Sequence, residues 1–433
     1  MLHADSLLLT RPDYHISSEG AYVLKSGNEH DPRLLVAGDW ASIRIHADAA
    51  QRTPPALYGG LVDRIAAADL AIVNLECVLG GETPVAKDGP NLKGDPGSAR
   101  ALKAAGFDLA TLANNHMMDY GPEGLAATCA ACNEAGLATA GAGNTAREAL
   151  TPYTTRLQGL EVSVLNVSDR EDGEAGWDSP GVADGFAYDV DGILRHMRAN
   201  TDFCVVIAHG GKEYVPVPSL YWYEQLLNYA LSGADLVVAH HPHVPQGITW
   251  IHPPERAPVP VIFSTGNFVF RPAAPDGENI PPHTQDGYLV EAAIARHEVR
   301  GLKLWPYEIQ GEAGPRPLNT PSSLEAFRKV LEAQSAPLTD PALVARWFDA
   351  SCAWLWDHGY RTRLEGLTAK VCVGDLTAAR HARNHHHGNA HLTLLDQIMR
   401  RMASQRPPPD ACCLEELERW FARGWRPGQE VSP

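Results

Sequence analysis

Residues 234–246, ADLVVAHHPHVPQ, pass from an apolar run of strand length straight into three histidines within four positions. Side chains two apart on an extended chain point the same way, so His241 and His243 can face one site while His240 faces the other side. The rest of the chain then has to supply their partners. Apolar runs stop at a residue able to bind metal in four other places: RLLVAGDW at Asp39, ADLAIVNLE at Glu76, GFDLATLANNH at Asn115 and His116, and DFCVVIAHGG at His209. Between the runs lie helical stretches such as ALYGGLVDRIAAA, GSARALKAAG and SLYWYEQLLNYALSGA, with glycine at or near several of their ends. Strands alternating with helices imply an α/β fold with a largely parallel, covered sheet. In such sheets ligands bind beyond the carboxyl ends of the strands, so the five polar ends are expected to meet. A sixth strand, PVIFSTGNFVF, carries Gly266 and Asn267 and is expected to bring a loop or backbone there, but no ligand.

Each feature alone has an ordinary reading. A single Asp after a strand caps a helix, an Asn pair makes a turn, and one His at a strand end is a hydrogen-bonded core residue. Together, carboxylates, a carboxamide and imidazoles make the mixed oxygen and nitrogen donor set that Mn2+, Fe2+ or Zn2+ accepts.

Composition sets the class. A chain of 433 residues, 44% hydrophobic and 20% charged, is expected to fold as one main domain with an extension. Its formal net charge of −16 argues against nucleic acid or anionic lipid as a partner. No apolar run is long enough to span a membrane, and SLLLT near the N-terminus is too short for a signal-peptide core, so no membrane partner and a cytoplasmic location are expected. The eight cysteines do not form a secreted disulfide pattern, and the CxxC at Cys129 and Cys132 sits inside a helical stretch, where it reads as two small packing residues.

The order of motifs, GDW, AIVNLECVL, KDGPNLKGDPGSARALKAAGFDLATLANNHMMDYGPEGL, AGLATAGAG, IAHGGKEY, AHHPHVPQG and IFSTGNFVF, resembles the CapA family of poly-γ-glutamate capsule synthesis proteins over roughly residues 33–310. That family resembles a branch of the calcineurin-like metallophosphoesterase superfamily. The resemblance implies a four-layer α/β/β/α metallophosphoesterase-like sandwich with a dinuclear site holding one or two divalent ions (Mn2+, Fe2+ or Zn2+). It implies one ion at Glu76, Asn115, His209 and His241, and another at Asp39, Glu76 and His243, with Glu76 between them. His116 corresponds to the superfamily's leaving-group acid. The superfamily's first motif, Asp-x-His, here reads Asp39-Trp40-Ala41, a loss shared by the capsule relatives that implies one ion held more weakly.

The chemistry expected of such a site is hydrolysis by a metal-activated water, with His116 as the catalytic acid. Asp119 either orients His116 or caps the next helix, and the cap is the expectation. Lys87, Lys93 and Lys212 are candidates to bind a substrate carboxylate or phosphate, against the reading of ordinary surface lysines. Tyr221, Trp222 and Tyr223 either line a groove or belong to the core, and Glu213 and Tyr214 lie close behind the His209 loop. The expected function is a cytoplasmic metal-dependent hydrolase acting on an amide or phosphoester of a small acidic or γ-glutamyl-type substrate. The alternative is an accessory component of poly-γ-glutamate capsule synthesis that binds polymer or partner enzymes. Capsule relatives usually carry an N-terminal membrane anchor; none is expected here, and that expectation favours the soluble enzyme.

A Pro-rich connector, GPRPLNTPSS, separates residues 1–315 from a helical C-terminal extension, 316–433. Trp347, Trp354 and Trp356 are expected to pack against the main domain, although a homodimer interface would use the same residues. RHARNHHHGNAH, residues 380–391, lacks carboxylates or cysteines at ligand spacing and reads as a solvated loop, with a loop lending a histidine to the site as the other possibility.

Overall fold

A computed structural model describes residues 7–43, 46–47, 54–87, 89–171, 173–270, 282–375, 378–379, 389–403 and 409–423. The polar strand ends belong to β1 (Arg33–Trp40), β2 (Leu70–Leu75), β3 (Leu109–Thr111), β4 (Leu160–Ser168), β5 (Phe203–His209) and β6 (Leu236–His240). They fall into two sheets rather than one. β1, β2 and β3 run parallel in one sheet; β4, β5 and β6 run parallel in the other. Both sheets also carry antiparallel strands, so the expectation of a largely parallel sheet holds for part of each sheet and not for the whole. Asp286–Ala295 and Glu298–Ile309, for example, form a hairpin next to β1. Their connection is only the two residues Arg296 and His297, which is too short for a crossover and permits only antiparallel pairing.

Alternation along the strands builds the layers. Leu34 and Val36 of β1, Leu70 and Ile72 of β2, Val162 and Val164 of β4, and Val205 and Ile207 of β5 share one buried cluster between the sheets. Their neighbours Leu35, Ala37, Ala71, Val73, Val206 and Ala208 point the other way, into a cluster that includes helix residues. These helices are α1 (Gly97–Ala105), α2 (Gly121–Ala135), α3 (Val190–Asn200) and α4 (Leu220–Ser232). The result is the α/β/β/α sandwich that the family resemblance implied, with both faces of the central strands covered. α2 starts with proline in its first turn and ends at Gly136, whose φ of 70° suits a residue without a Cβ. Its Cys132 is buried, and burial pushes that thiol up to about 12, as expected of a packing residue.

One glycine fixes how β1 approaches the site. A Cβ on Gly38 would lie 2.0 Å from the Gly266 carbonyl oxygen, just before β7 (Asn267–Val269), which pairs with the end of β1. Gly38→Ala must push the strands apart, and a loss of about 1–3 kcal/mol in denaturant unfolding is expected; an unchanged midpoint would show that the approach is not required.

The C-terminal helices α5 (Pro321–Ser335), α6 (Pro341–Leu355), α7 (Asn389–Ala403) and α8 (Ala411–Arg423) follow. Thr320 and Asp340 cap α5 and α6 by accepting from Ser323 N and Ala342 N. α5 buries Leu324, Phe327 and Leu331 in the inter-sheet core. Phe348 and Cys352 of α6 and Leu394 and Ile398 of α7 enclose Val215 and Val217, from the loop after β5, with Trp347 and Trp356 against them. Trp354 instead stacks on Phe421 of α8 at 3.7 Å, within the helical extension. The histidine-rich loop lies outside the described residues from 380 to 388, and His391 is in α7. No helix among the described residues is long and apolar enough to cross a membrane.

Candidate metal centre

The carboxyl ends of the two sheets meet, and the residues singled out in the sequence converge there. Asp39, Glu76, His209, His241 and His243 are all buried. Glu76, His209 and His241 place one donor atom each within 4.8 Å of one another, and so do Asp39, Glu76 and His243, so Glu76 belongs to both groups. In the first group His209 Nε2 lies 3.0 Å from His241 Nδ1, 3.1 Å from Asn115 Oδ1 and 3.6 Å from Glu76 Oε1. Donors bonded to one ion at the usual ~2.0–2.2 Å stand roughly 2.8–3.6 Å apart, a range that covers the spacing of these atoms. In the second group Asp39 Oδ2 is 3.4 Å from His243 Nδ1, and Glu76 Oε1 is 3.7 Å from His243 Nε2.

The local backbone explains how two histidines reach one place. β6 ends at His240, so His241 and His243 do not share an extended strand as the two-residue spacing suggested. They flank Pro242 in a turn, with φ of 99° and 57°, a left-handed conformation that side chains rarely adopt. His240 does face elsewhere, with Nδ1 3.0 Å from Thr265 Oγ1.

Glu76 is the test of whether a cation fits. Both of its carboxylate oxygens are buried and have no hydrogen-bond partner among the described residues. Burial and then the neighbouring Asp39 raise its pKa well above the usual carboxyl range. Asp39 is pushed the other way: burial alone would raise it, and His243 and His209 more than reverse that, holding it low. Burial lowers the His209 pKa strongly and keeps that ring neutral, the form that binds metal. His241 and His243 are lifted to about 9 because carboxylates outweigh their burial, Glu171 chiefly for the first and Glu76 for the second. An unpartnered buried carboxylate shared between two sets of imidazoles and carboxylates has the chemistry of a divalent-cation site.

Several supporting residues escaped the sequence reading. Asn74, next to last in β2, donates to Asp39 Oδ1 at 2.8 Å and lies 3.1 Å from His209 Nδ1. Asn267 was expected to offer only backbone, yet its Oδ1 accepts from His243 Nδ1 at 2.9 Å, which leaves His243 Nε2 toward Glu76. Glu171, just past β4, sits 3.4 Å from His241 Nε2, so His241 is held between a carboxylate and the cluster. The signal was present, since VSVLNVSDRE is another apolar run ending in acidic residues.

Asp119 is not a helix cap, contrary to expectation. The N-cap position of α2 is Tyr120, with no side-chain capping bond, and Asp119 Oδ2 turns inward to accept from Leu92 N at 2.6 Å and His116 Nδ1 at 2.8 Å. A carboxylate can only accept here, so His116 carries a proton on Nδ1, and Nε2 is the ring nitrogen that Asp119 does not engage. Lys87 forms an ion pair with Asp119 and lies 3.2 Å from His116 Nδ1. Burial first and Lys87 second lower the His116 pKa. Lys87 is thus placed against the His116–Asp119 pair. Lys93 donates to the Gly81 carbonyl at 3.0 Å and lies over the Tyr120 ring, and Lys212 is buried 3.7 Å from Glu213 Oε2. Trp222 and Tyr223 are core residues, while Tyr221 donates to Asp169. Tyr214 packs its ring 5.8 Å from that of His243.

The family described as "Bacterial capsule synthesis protein PGA_cap" matches residues 33–272, which is more than half of the 433. "Capsule biosynthesis protein CapA" of Bacillus anthracis is 30% identical over 241 residues, 52% of this chain and 53% of its own. "PGA biosynthesis protein CapA" of Bacillus subtilis (strain 168) is 28% identical over 229 residues, 52% of this chain and 57% of its own. The chain thus spans little more than half the length of these curated relatives. Among solved structures, a 5'-nucleotidase precursor from Thermus thermophilus aligns with a TM-score of 0.42 at 15% identity, over 71% of this chain and 59% of its own. By the match over residues 33–272, which spans all the strand ends that converge on the buried cluster, the chain belongs to the bacterial capsule synthesis protein PGA_cap family.

Proposed function

We propose that the protein is a cytoplasmic metal-dependent hydrolase that cleaves an amide or phosphoester bond of a small acidic or γ-glutamyl-type substrate. The observation that carries the reading is the buried, unpartnered Glu76 shared by two donor groups, with a supported imidazole, His116, next to one of the donors. Glu76, Asn115, His209 and His241 would hold one divalent ion, and Asp39, Glu76 and His243 a second. Mn2+, Fe2+ and Zn2+ all suit this donor set. Bound there, such ions supply Lewis acidity for water and for the bond under attack. The chain's own residues do the rest. Asn74 orients Asp39, Asn267 fixes the His243 ring, and Glu171 aligns His241. Asp119 holds His116 by Nδ1, so when the ring is protonated to imidazolium the proton for the leaving group is given up from Nε2, and the ring returns to its neutral Nδ1–H form. Eight cysteines without a disulfide suit a reducing compartment.

The names of the relatives favour a second reading, an accessory role in poly-γ-glutamate capsule synthesis. One experiment separates the two. Metal-loaded protein is offered paired panels of phosphoesters and γ-glutamyl amides, with and without chelator. Metal-dependent turnover on one panel is expected and would name the bond. Metal retained with no turnover on either panel would leave the accessory reading.

A further inference from the structure

The helix α7 lies outside the family match, yet its first turns touch the loops that support the cluster. The Asn389 side-chain amide donates to Asp169 Oδ1 at 2.8 Å, and its backbone N–H donates to the Arg170 carbonyl at 3.2 Å. Asp169 is itself tied into the site: its N–H donates to the His209 carbonyl at 2.8 Å, and its Oδ2 accepts from Gly211 N at 3.4 Å and from Tyr221 Oη. Two residues further on, His391 interacts electrostatically with Glu171 and Glu213. Leu394 and Ile398 of the same helix share a buried cluster with Val215 and Val217, so α7 is seated against the loops after both β4 and β5.

From these contacts we infer that α7 is a built part of the centre, with Asn389 a positioning residue that fixes the segment Asp169–Arg170–Glu171 and, through Glu171, the orientation of His241. The inference rests on the metal-centre reading above. Physically, the three polar residues after β4 would sample many conformations if left to themselves, and ordering them costs about 1–2 kcal/mol per residue. The two hydrogen bonds from Asn389 hold that segment in one arrangement, with Glu171 Oε1 3.4 Å from His241 Nε2. Carboxylates that orient a metal-bound histidine govern how tightly the ion is held. The effect of α7 is therefore confined to the ion at Glu76, Asn115, His209 and His241, the group with four protein donors and the tighter hold. The ion at Asp39, Glu76 and His243 does not depend on Glu171.

The test uses the full chain, stripped of metal and titrated with Mn2+ by calorimetry. Glu171→Gln is expected to weaken the tighter Mn2+ equivalent by roughly 10- to 100-fold, and Asn389→Ala by the lower end of that range, while any weaker equivalent is unchanged. The double variant is expected to lose little more than Glu171→Gln alone, because both act through one carboxylate. His391→Ala, a second route to the same segment, is expected to follow Asn389→Ala, and it carries the test if Asn389→Ala does not fold. Unchanged tight binding in both α7 variants overturns the inference and leaves the metal centre intact. Equal weakening of all equivalents, in step with a lower apo melting temperature, also overturns it, since that is what a merely structural contact produces. A parent chain that binds no Mn2+ overturns both this inference and the reading beneath it.

Discussion

Replacing Glu76 with glutamine is expected to abolish metal binding at both positions while making the metal-free fold more stable. The two effects have one cause. Glu76 contributes to both donor groups, and no other side chain among the described residues belongs to both. Loss of the Lewis acid removes several kcal/mol of transition-state stabilisation, about 10³-fold or more in turnover. In the metal-free chain, however, the same carboxylate is buried with neither oxygen hydrogen-bonded and with Asp39 close by. An unsatisfied buried group costs about 1–3 kcal/mol, and an amide of the same shape is neutral without having to take up a proton and can donate toward Asp39. Chemical unfolding of the two apo proteins checks the second effect. A glutamine variant less stable than the parent would mean that Glu76 has a structural partner after all.

The second large effect is expected from His116→Ala, with the opposite signature. Turnover is expected to fall by roughly 10²- to 10⁴-fold, the usual contribution of a positioned general acid, with metal content unchanged. His116 is fixed through Nδ1 by Asp119, itself held by Leu92 N and Lys87, so the ring is placed by the protein and not by an ion. The loss should shrink for substrates with a good leaving group such as p-nitrophenolate, because that group departs without a proton. Equal losses across leaving groups, or metal lost together with activity, would remove His116 from the acid's role.

Much of the site was legible because burying both faces of a strand demands an unbroken apolar run, which makes the polar residue at its carboxyl end conspicuous. Asp39, Glu76, His209 and the 241–243 pair were all found this way, and Asn115 and His116 lie four and five residues beyond β3 in a loop that the strand still aims. Glu171 was missed because β4 is interrupted by Ser163, Asn166 and Ser168. Asn166 has a structural task, accepting from Ala113 N at 2.7 Å and donating to the Ile207 carbonyl at 3.0 Å, so it ties β4 to the segment after β3 in the other sheet. Alternation named the face on which His241 and His243 meet, but the positive φ values around Pro242 depend on contacts a local pattern does not carry, such as the His241 N–H bond to Asp39 Oδ2 at 3.3 Å. Asp119 was misread because a carboxylate before a helix usually caps it. What turns it inward is Leu92 N, 27 residues earlier in the chain. The division into two sheets came from the family resemblance, since strand–helix alternation does not reveal which strands pair. The Asn389 contact spans 220 residues and had no local signal at all.

The central claim is that the residues around Glu76 hold divalent metal. Metal content per chain, measured by mass spectrometry after equilibration with Mn2+, Fe2+ or Zn2+ and removal of free ion, tests it most directly when the parent and Glu76→Gln are compared. One or two ions per parent chain and none in the variant is the predicted result. A parent that retains none, or a variant that retains as much as the parent, would contradict it.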